Sequence, residues 1–217
     1  MSADTVHQGP VAPGRLRIYL GYAPGAGTTW ALLSEGHRRA GRGTDVVVAS
    51  AGTHGRAHTA RLLAGLEVIP PVTIPGEGPA VDLGAVLARR PWVALVDELA
   101  HRNVPGARHA ARWQHVEDLL QAGIDVVSTV SIQHLESLRD VVGKITGVPP
   151  PETVPDPVIA TAGEVELVDV APEALRDRMA RGHIYPAERA EGALGGASQA
   201  GNLAARPGRV NPTRGGS

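Results

Sequence analysis

The sequence contains no cysteine, no phenylalanine and a single lysine, Lys144. The lack of cysteine excludes disulfides, a thiolate nucleophile and cysteine-ligated metal, and it fits a reducing compartment. Three tryptophans and three tyrosines are the only aromatic residues. Valine, leucine, isoleucine and alanine must therefore build the core, which is typical of a buried parallel sheet.

Strong charge of one sign and long apolar runs are also missing. The formal net charge is -1, which favours neither nucleic acid nor an anionic membrane surface as a partner. No apolar run approaches the roughly 20 residues of a membrane helix. We therefore expect a cytoplasmic protein with no membrane segment of its own and no nucleic-acid partner.

The length of 217 residues fits one α/β domain of about 150–200 residues with additional ends. Small polar residues, proline and glycine predict a disordered arm over 1–14, and glycine, alanine and arginine predict a disordered tail over 195–217. The domain is predicted over 15–194.

Within the domain, strand-like and helix-like segments alternate. Short aliphatic runs predict buried strands over 16–22, 45–51, 92–97 and 124–130, a short strand over 66–71 and an edge strand over 164–170. Helical spacing is present over 28–39, around Trp113, Val116 and Leu120, over 133–145, and after Pro172. This order predicts a mostly parallel sheet with helices on both faces, and ligands at the carboxyl ends of its strands.

The stretch GYAPGAGTTW, residues 21–30, connects the first predicted strand to the first predicted helix. Glycines in such a turn allow backbone N–H groups to converge on phosphate oxygens at the positive end of a helix. Thr29 occupies the place of the residue that coordinates magnesium. The candidate nucleotide-binding residues of this loop are Pro24, Gly25, Ala26, Gly27, Thr28 and Thr29.

Two residues depart from the strict phosphate-loop pattern G-x-x-x-x-G-K-[ST]. Tyr22 stands at the first glycine position, and Thr28 stands at the lysine position. A glycine-rich turn that binds nothing is therefore an alternative interpretation of this stretch.

A second motif, WVALVDELAH, is a buried-type strand that ends in Asp97 and Glu98. Carboxylates at this position suit a magnesium shell and a residue that orients the water attacking a γ-phosphate. Together the motifs predict a P-loop NTPase-like fold that binds ATP or ADP with magnesium at Thr29 and Asp97, with Glu98 as the candidate catalytic residue. An ordinary buried strand that ends in solvated acids is the alternative.

The histidines offer a weaker indication of a metal site. His54 and His58 have helical i, i+4 spacing, and His109 and His115 flank a helix. No established ligand motif accompanies them, so surface or loop histidines are the favoured interpretation.

Several longer strings resemble the N-terminal cytoplasmic domain of the KdpD family of potassium-responsive histidine kinases. They include THGRAHTARLLAGLEVIP, DELAHRNVPGARHAARWQHVEDLL, SIQHLESLRDVV and EVELVDVAPEALRDRMARGHIYPAE. The resemblance covers residues 15–194 and implies a P-loop domain from a sensor kinase of a two-component system. It also implies a protein partner in potassium signalling, either a kinase or another KdpD-like subunit, which recruits this chain to the inner face of the plasma membrane.

The sequence departs from the family pattern near the expected chemistry. Thr28 replaces the usual lysine, Gly52 a glutamate, Arg102 a threonine, Ala107 a serine and Ser131 an asparagine. The resemblance therefore implies a stand-alone regulatory module with a degenerate ATP site and weak or absent hydrolysis. An active ATPase or phosphotransferase that uses Arg102 or Arg56 as its phosphate-binding cation is one alternative, and a scaffold that binds no nucleotide is another.

Overall fold

The computed structural model describes residues 12–23, 25–52 and 57–170, without the side chains of residues 57 and 58. Six strands form one sheet in the order β3-β2-β6-β7-β1-β8, and every neighbouring pair in it is parallel. These strands are β1 (Leu16–Gly21), β2 (Val46–Ser50), β3 (Glu67–Val68), β6 (Val93–Val96), β7 (Asp125–Ser131) and β8 (Glu164–Val168). Two further strands, β4 (Val72–Ile74) and β5 (Gly78–Ala80), form a separate antiparallel hairpin.

Helices cover both faces of this sheet. They are α1 (Thr28–Ala40), α2 (Ala57–Arg61), α3 (Leu83–Arg89), α4 (Arg112–Gln121), α5 (Arg139–Thr146) and α6 (Asp156–Ala160). Leu32 and Leu33 of α1 pack into the core of one face, whereas Val86 of α3 and Val116 of α4 pack into the core of the other. The predicted α/β fold, with its parallel sheet and two helical layers, is confirmed.

The strand prediction was right for the sheet centre and for the edge strand β8, made β3 too long, and missed the β4–β5 hairpin. The predicted strand over 66–71 is only β3, two residues long, and the chain then leaves the sheet to form the β4–β5 hairpin. Consecutive prolines, Pro70 and Pro71, separate the two elements, and proline lacks the N–H that a sheet interior requires.

The predicted helix over 133–145 begins too early. Two short 3₁₀ turns precede α5, and Leu135 between them has extended backbone angles. Leu135 pairs with Val154 in an isolated parallel bridge, so a helix cannot begin until Arg139. The predicted helix after Pro172 lies outside the described residues.

The structure also bears on membrane crossing. In the three segments described, no helix has both the length and the apolar character that spanning a bilayer requires.

Candidate functional site

The glycine-rich loop, residues 21–29, joins the carboxyl end of β1 to the start of α1. Gly25 and Gly27 have φ angles of 82° and 105°, a left-handed conformation that glycine adopts without the cost that a Cβ imposes. In the described part of this loop, no side chain caps α1 and its first turn contains no acid. The positive end of the helix is therefore directed at the loop, as anion binding requires. Pro24 lies outside the described residues.

Thr28 is the first residue of α1, where a phosphate loop would have its lysine. A Cβ on residue 21 would lie 2.8 Å from the Thr28 Cγ2 methyl carbon, so any larger residue at position 21 would force that methyl group to move. The methyl group of Thr28 thus faces the end of β1. A threonine there supplies no positive charge.

Asp97 directly follows β6 and is fully buried. One strand, β7, separates β6 from β1, yet Thr29 Oγ1 donates a hydrogen bond of 2.9 Å to Asp97 Oδ2. The hydroxyl of Thr129, on the intervening strand, donates to Asp97 Oδ1 at 2.6 Å. The predicted pair of Thr29 and Asp97 is thus brought together across three strands.

Backbone groups complete the surroundings of this carboxylate. The Gly52 N–H donates to Oδ2 at 3.0 Å, and the Glu98 N–H donates to Oδ1 at 3.1 Å. Burial raises the pKa of Asp97 above its usual value, while the hydrogen bonds from Thr129, Gly52 and Thr29 oppose that rise. Four donors to one carboxylate are an arrangement that favours its charged form.

Glu98 follows Asp97 with a φ of 57°. Positive φ is uncommon for residues with a Cβ, and such conformations concentrate at functional sites. Its side chain is partly exposed, and Oε2 lies 3.6 Å from Nη1 of Arg112. The predicted water-orienting carboxylate therefore stands beside the Thr29–Asp97 pair, in contact with a cation.

Arg112 is a residue of this site that sequence reasoning missed. It begins α4, it is only 8% exposed, and its Nη1 donates to the Asp97 carbonyl oxygen at 2.9 Å. A buried charged residue at the start of an amphipathic helix has no periodic signal in sequence, and only the string ARWQHVEDLL marked the segment.

Two arginines were predicted as replacement cations, and the one that the structure describes, Arg102, forms no hydrogen bond or ion pair with Asp97. Arg102 is exposed, and its backbone N–H donates to Glu152 Oε1 at 3.0 Å. Among the described residues, its side chain forms no hydrogen bond or ion pair. Arg56 lies outside the described residues.

The histidines do not form a metal site within the parts of the chain described, where no group of three or more potential ligands occurs. His109 Nε2 lies 2.9 Å from Asp118 Oδ2, and the His109 and His115 ring centroids are 5.4 Å apart. Asn103 Nδ2 donates to the His109 carbonyl oxygen. These contacts hold the loop before α4 onto that helix. His54 and the side chain of His58 are not described.

His115 is expected to make stability depend on pH. Burial lowers the pKa of His115 to about 4, and the neighbouring His109 and Arg112 add to this effect. In the unfolded chain the His115 imidazole is protonated below about pH 6.5, whereas in the folded chain it stays neutral until the pH is near 4. The free energy of unfolding should therefore fall by about 2–3 kcal/mol as the pH drops from 6.5 to 4.

Urea unfolding at a series of pH values measures this effect, with His115→Gln as the variant and His37→Gln as a control outside the cluster. The His115 variant should lose most of the slope between pH 6.5 and 4. An unchanged slope would assign the acid sensitivity to other groups.

Comparison with known proteins shows which family this chain resembles. A family model for KdpD, described as the osmosensitive K+ channel His kinase sensor domain, matches residues 12–206. The chain belongs to the KdpD sensor-domain family. It is 55% identical over 195 residues to a protein named sensor protein KdpD from Mycobacterium tuberculosis, covering 88% of this chain and 23% of the relative.

KdpD sensor proteins from other bacteria match over a similar span. The one from Escherichia coli (strain K12) is 49% identical, covering 88% of this chain and 22% of the relative. The one from Clostridium acetobutylicum is 42% identical, covering 83% of this chain and 20% of the relative. The chain thus spans less than a quarter of the length of these KdpD proteins.

Proposed function

We propose that this chain is a regulatory input domain for KdpD-type two-component signalling in response to potassium or osmotic stress. In this proposal it binds ATP or ADP with magnesium weakly at the glycine-rich loop and hydrolyses ATP slowly or not at all. It acts through contacts with a kinase or another KdpD-like subunit, in the cytoplasm or at the inner face of the plasma membrane to which that partner recruits it. Family membership supports the signalling role.

The observation that carries the nucleotide proposal is the contact between Thr29 and Asp97. A hydroxyl and a carboxylate are hard oxygen donors of the kind that magnesium prefers, and the two side chains meet at 2.9 Å. The left-handed glycines and the uncapped start of α1 suit phosphate oxygens. Thr29 and Asp97 would hold the metal, which when bound would neutralise phosphate charge.

The proposed weak binding of nucleotide follows from the presence of Thr28 at the position of the phosphate-loop lysine. A hydrogen bond to a charged group contributes about 1.5–3 kcal/mol, so the missing lysine lowers affinity by about one to two orders of magnitude. Hydrolysis should suffer more, since charge that develops on the transferred phosphoryl group is stabilised by positioned cations. Glu98 can orient a water molecule, but it cannot replace a positive charge.

Calorimetric titration with Mg-ATP, together with a phosphate-release assay, tests the proposal. We expect weak binding and turnover well below the about 1–100 s⁻¹ typical of phosphoryl-transfer enzymes such as kinases. Turnover in that range would reject the degenerate site. It would favour instead an active ATPase or phosphotransferase, in which Arg102→Ala abolishes turnover and Arg108→Ala, a matched exposed arginine in the same loop, does not.

A further inference from the structure

A cavity of about 230 Å³ lies beyond the carboxyl ends of β2 and β3, on the side of Asp97 away from the glycine-rich loop. The β4–β5 hairpin forms one wall, and the loop that follows Asp97 and Glu98 forms another. Its apolar lining includes Ala49, Val68, Ile69, Pro79, Val81 and Val104. The polar residues among the described part of its lining are Ser50, His101, Asn103 and Arg112.

Arg112 is the feature of this cavity that calls for a ligand. The residue is more than nine-tenths buried, and Nη1 donates to the Asp97 carbonyl oxygen. Its Nε is buried and has no hydrogen-bond partner among the described residues. Because Nε itself has no accessible surface, a ligand in the cavity can reach the guanidinium only at its terminal nitrogens, and an anion there offsets the cost of burying an incompletely paired charge.

Charge and size restrict the chemistry of that ligand. Among the lining residues that the structure describes, Arg112 is the only arginine or lysine, and the Glu98 carboxylate already lies 3.6 Å from it. A phosphate dianion needs more positive charge than this wall offers. At about 30 Å³ for each water-sized group, the volume suits a molecule of about eight non-hydrogen atoms.

We propose that the cavity binds a small organic carboxylate, whose charged group pairs with Arg112 and whose apolar body lies against the aliphatic walls. The Ser50 hydroxyl, which has no hydrogen-bond partner within the described segments, is a further donor for it. His101 and Asn103 border the same space.

Residues that line the cavity also contact Asp97 of the candidate nucleotide site. Arg112 donates to the Asp97 carbonyl oxygen, and the Asp97 N–H donates to the Ser50 carbonyl oxygen at 3.0 Å. Two lining residues therefore hold the backbone of Asp97, whose carboxylate accepts the hydrogen bond from Thr29. Occupancy of the cavity should change the affinity for Mg-nucleotide, and nucleotide should change the affinity of the cavity by the same factor. The carboxylate site itself does not rest on nucleotide binding.

Fluorine NMR on the full chain without nucleotide tests the proposal, with 3,3,3-trifluoropropionate as the probe and 3,3,3-trifluoropropionamide as its neutral match. The acid should bind about tenfold more tightly than the amide. Arg112→Met should remove that difference, and Ala80→Leu, which fills the cavity from the hairpin without touching Asp97, should weaken both probes. Arg108→Met is the control arginine, and thermal melting establishes that each variant folds.

Each outcome decides the proposal. Absence of binding of the acid up to about 10 mM, equal binding of the acid and the amide, or binding that survives Ala80→Leu would overturn it. If Arg112→Met does not fold, the Ala80→Leu result and the acid-to-amide ratio still decide. A failure of ATP binding leaves this experiment unaffected, so the two proposals can fail separately.

Discussion

Replacing Thr28 with lysine is expected to strengthen Mg-ATP binding by about 10- to 100-fold. The lysine ammonium would supply the positive charge that the glycine-rich loop lacks. The start of α1 can accept the change, because a lysine carries one γ-carbon and no branch at Cβ. The Thr28 methyl group beside Gly21 would therefore give way to an unbranched stem. Isothermal titration calorimetry with ATP and ADP, each with magnesium, measures the gain.

Thr28→Met is the matched control for this variant, since it gives an unbranched stem of similar length without charge. We expect Thr28→Met to bind nucleotide as weakly as the parent chain. Equal affinities for the lysine and methionine variants would mean that charge at residue 28 does not limit binding, and the degenerate-lysine explanation would be abandoned.

The second large effect is expected on stability, when Asp97 is replaced with asparagine. In Asp97→Asn, the amide nitrogen must replace one carboxylate oxygen, and each oxygen now accepts a backbone N–H, from Gly52 or from Glu98. The hydroxyls of Thr29 and Thr129 can rotate to accept, but a backbone N–H cannot. Either amide orientation therefore opposes one backbone donor: the Gly52 N–H at the Oδ2 position, or, at the Oδ1 position, the Glu98 N–H, which also donates to Thr129 Oγ1 at 2.9 Å. We expect the free energy of unfolding to fall by about 1–3 kcal/mol.

An opposing effect accompanies this substitution. Burial raises the pKa of Asp97, which means that its charge is costly and that a neutral side chain relieves this cost. We expect the lost hydrogen bond to outweigh the relief, because four donors compensate the charge in the parent chain. Urea unfolding at pH 7 measures the sum of both effects.

Asp125→Asn is the control, at the opposite end of the sheet, where the carboxylate accepts the Arg15 N–H at 2.7 Å. Its side chain is accessible to water, so the loss should be below about 1 kcal/mol. If Asp97→Asn proves more stable than the parent chain, the buried carboxylate destabilises the fold, and ligand binding is then the remaining reason for its presence. The scaffold alternative predicts that partner binding is unaltered when Asp97 is replaced.

The sequence predicted the centre of the fold well because its signals are local. Each of β1, β2, β6 and β7 is a short aliphatic run bounded by glycine, proline or charge, and each was placed within about two residues. The β4–β5 hairpin was missed because its strands are only three residues long, too short to show an alternating hydrophobic pattern. The late start of α5 was missed because its cause is a bridge between Leu135 and Val154, distant in sequence.

The same contrast between local and distant signals explains which site residues the sequence identified and which it missed. Thr29, Asp97 and Glu98 belong to motifs with fixed spacing, so sequence could associate them. Thr129 and Arg112 contact Asp97 only because of strand order and helix packing, and neither belongs to a spaced motif. The contribution of the Gly52 N–H is a backbone property that no residue type encodes.

The position of β1 has a consequence for how the molecule folds. Its two neighbours are β7 and β8, so Leu16 pairs with Val126 and Arg17 pairs with Glu164. During synthesis, the whole glycine-rich loop emerges before either neighbouring strand exists. Contacts this distant in sequence carry a large entropy of loop closure and tend to form slowly. We therefore expect the loop, which would hold the nucleotide in the function proposed above, to reach its folded geometry only after β7 and β8 have been synthesised.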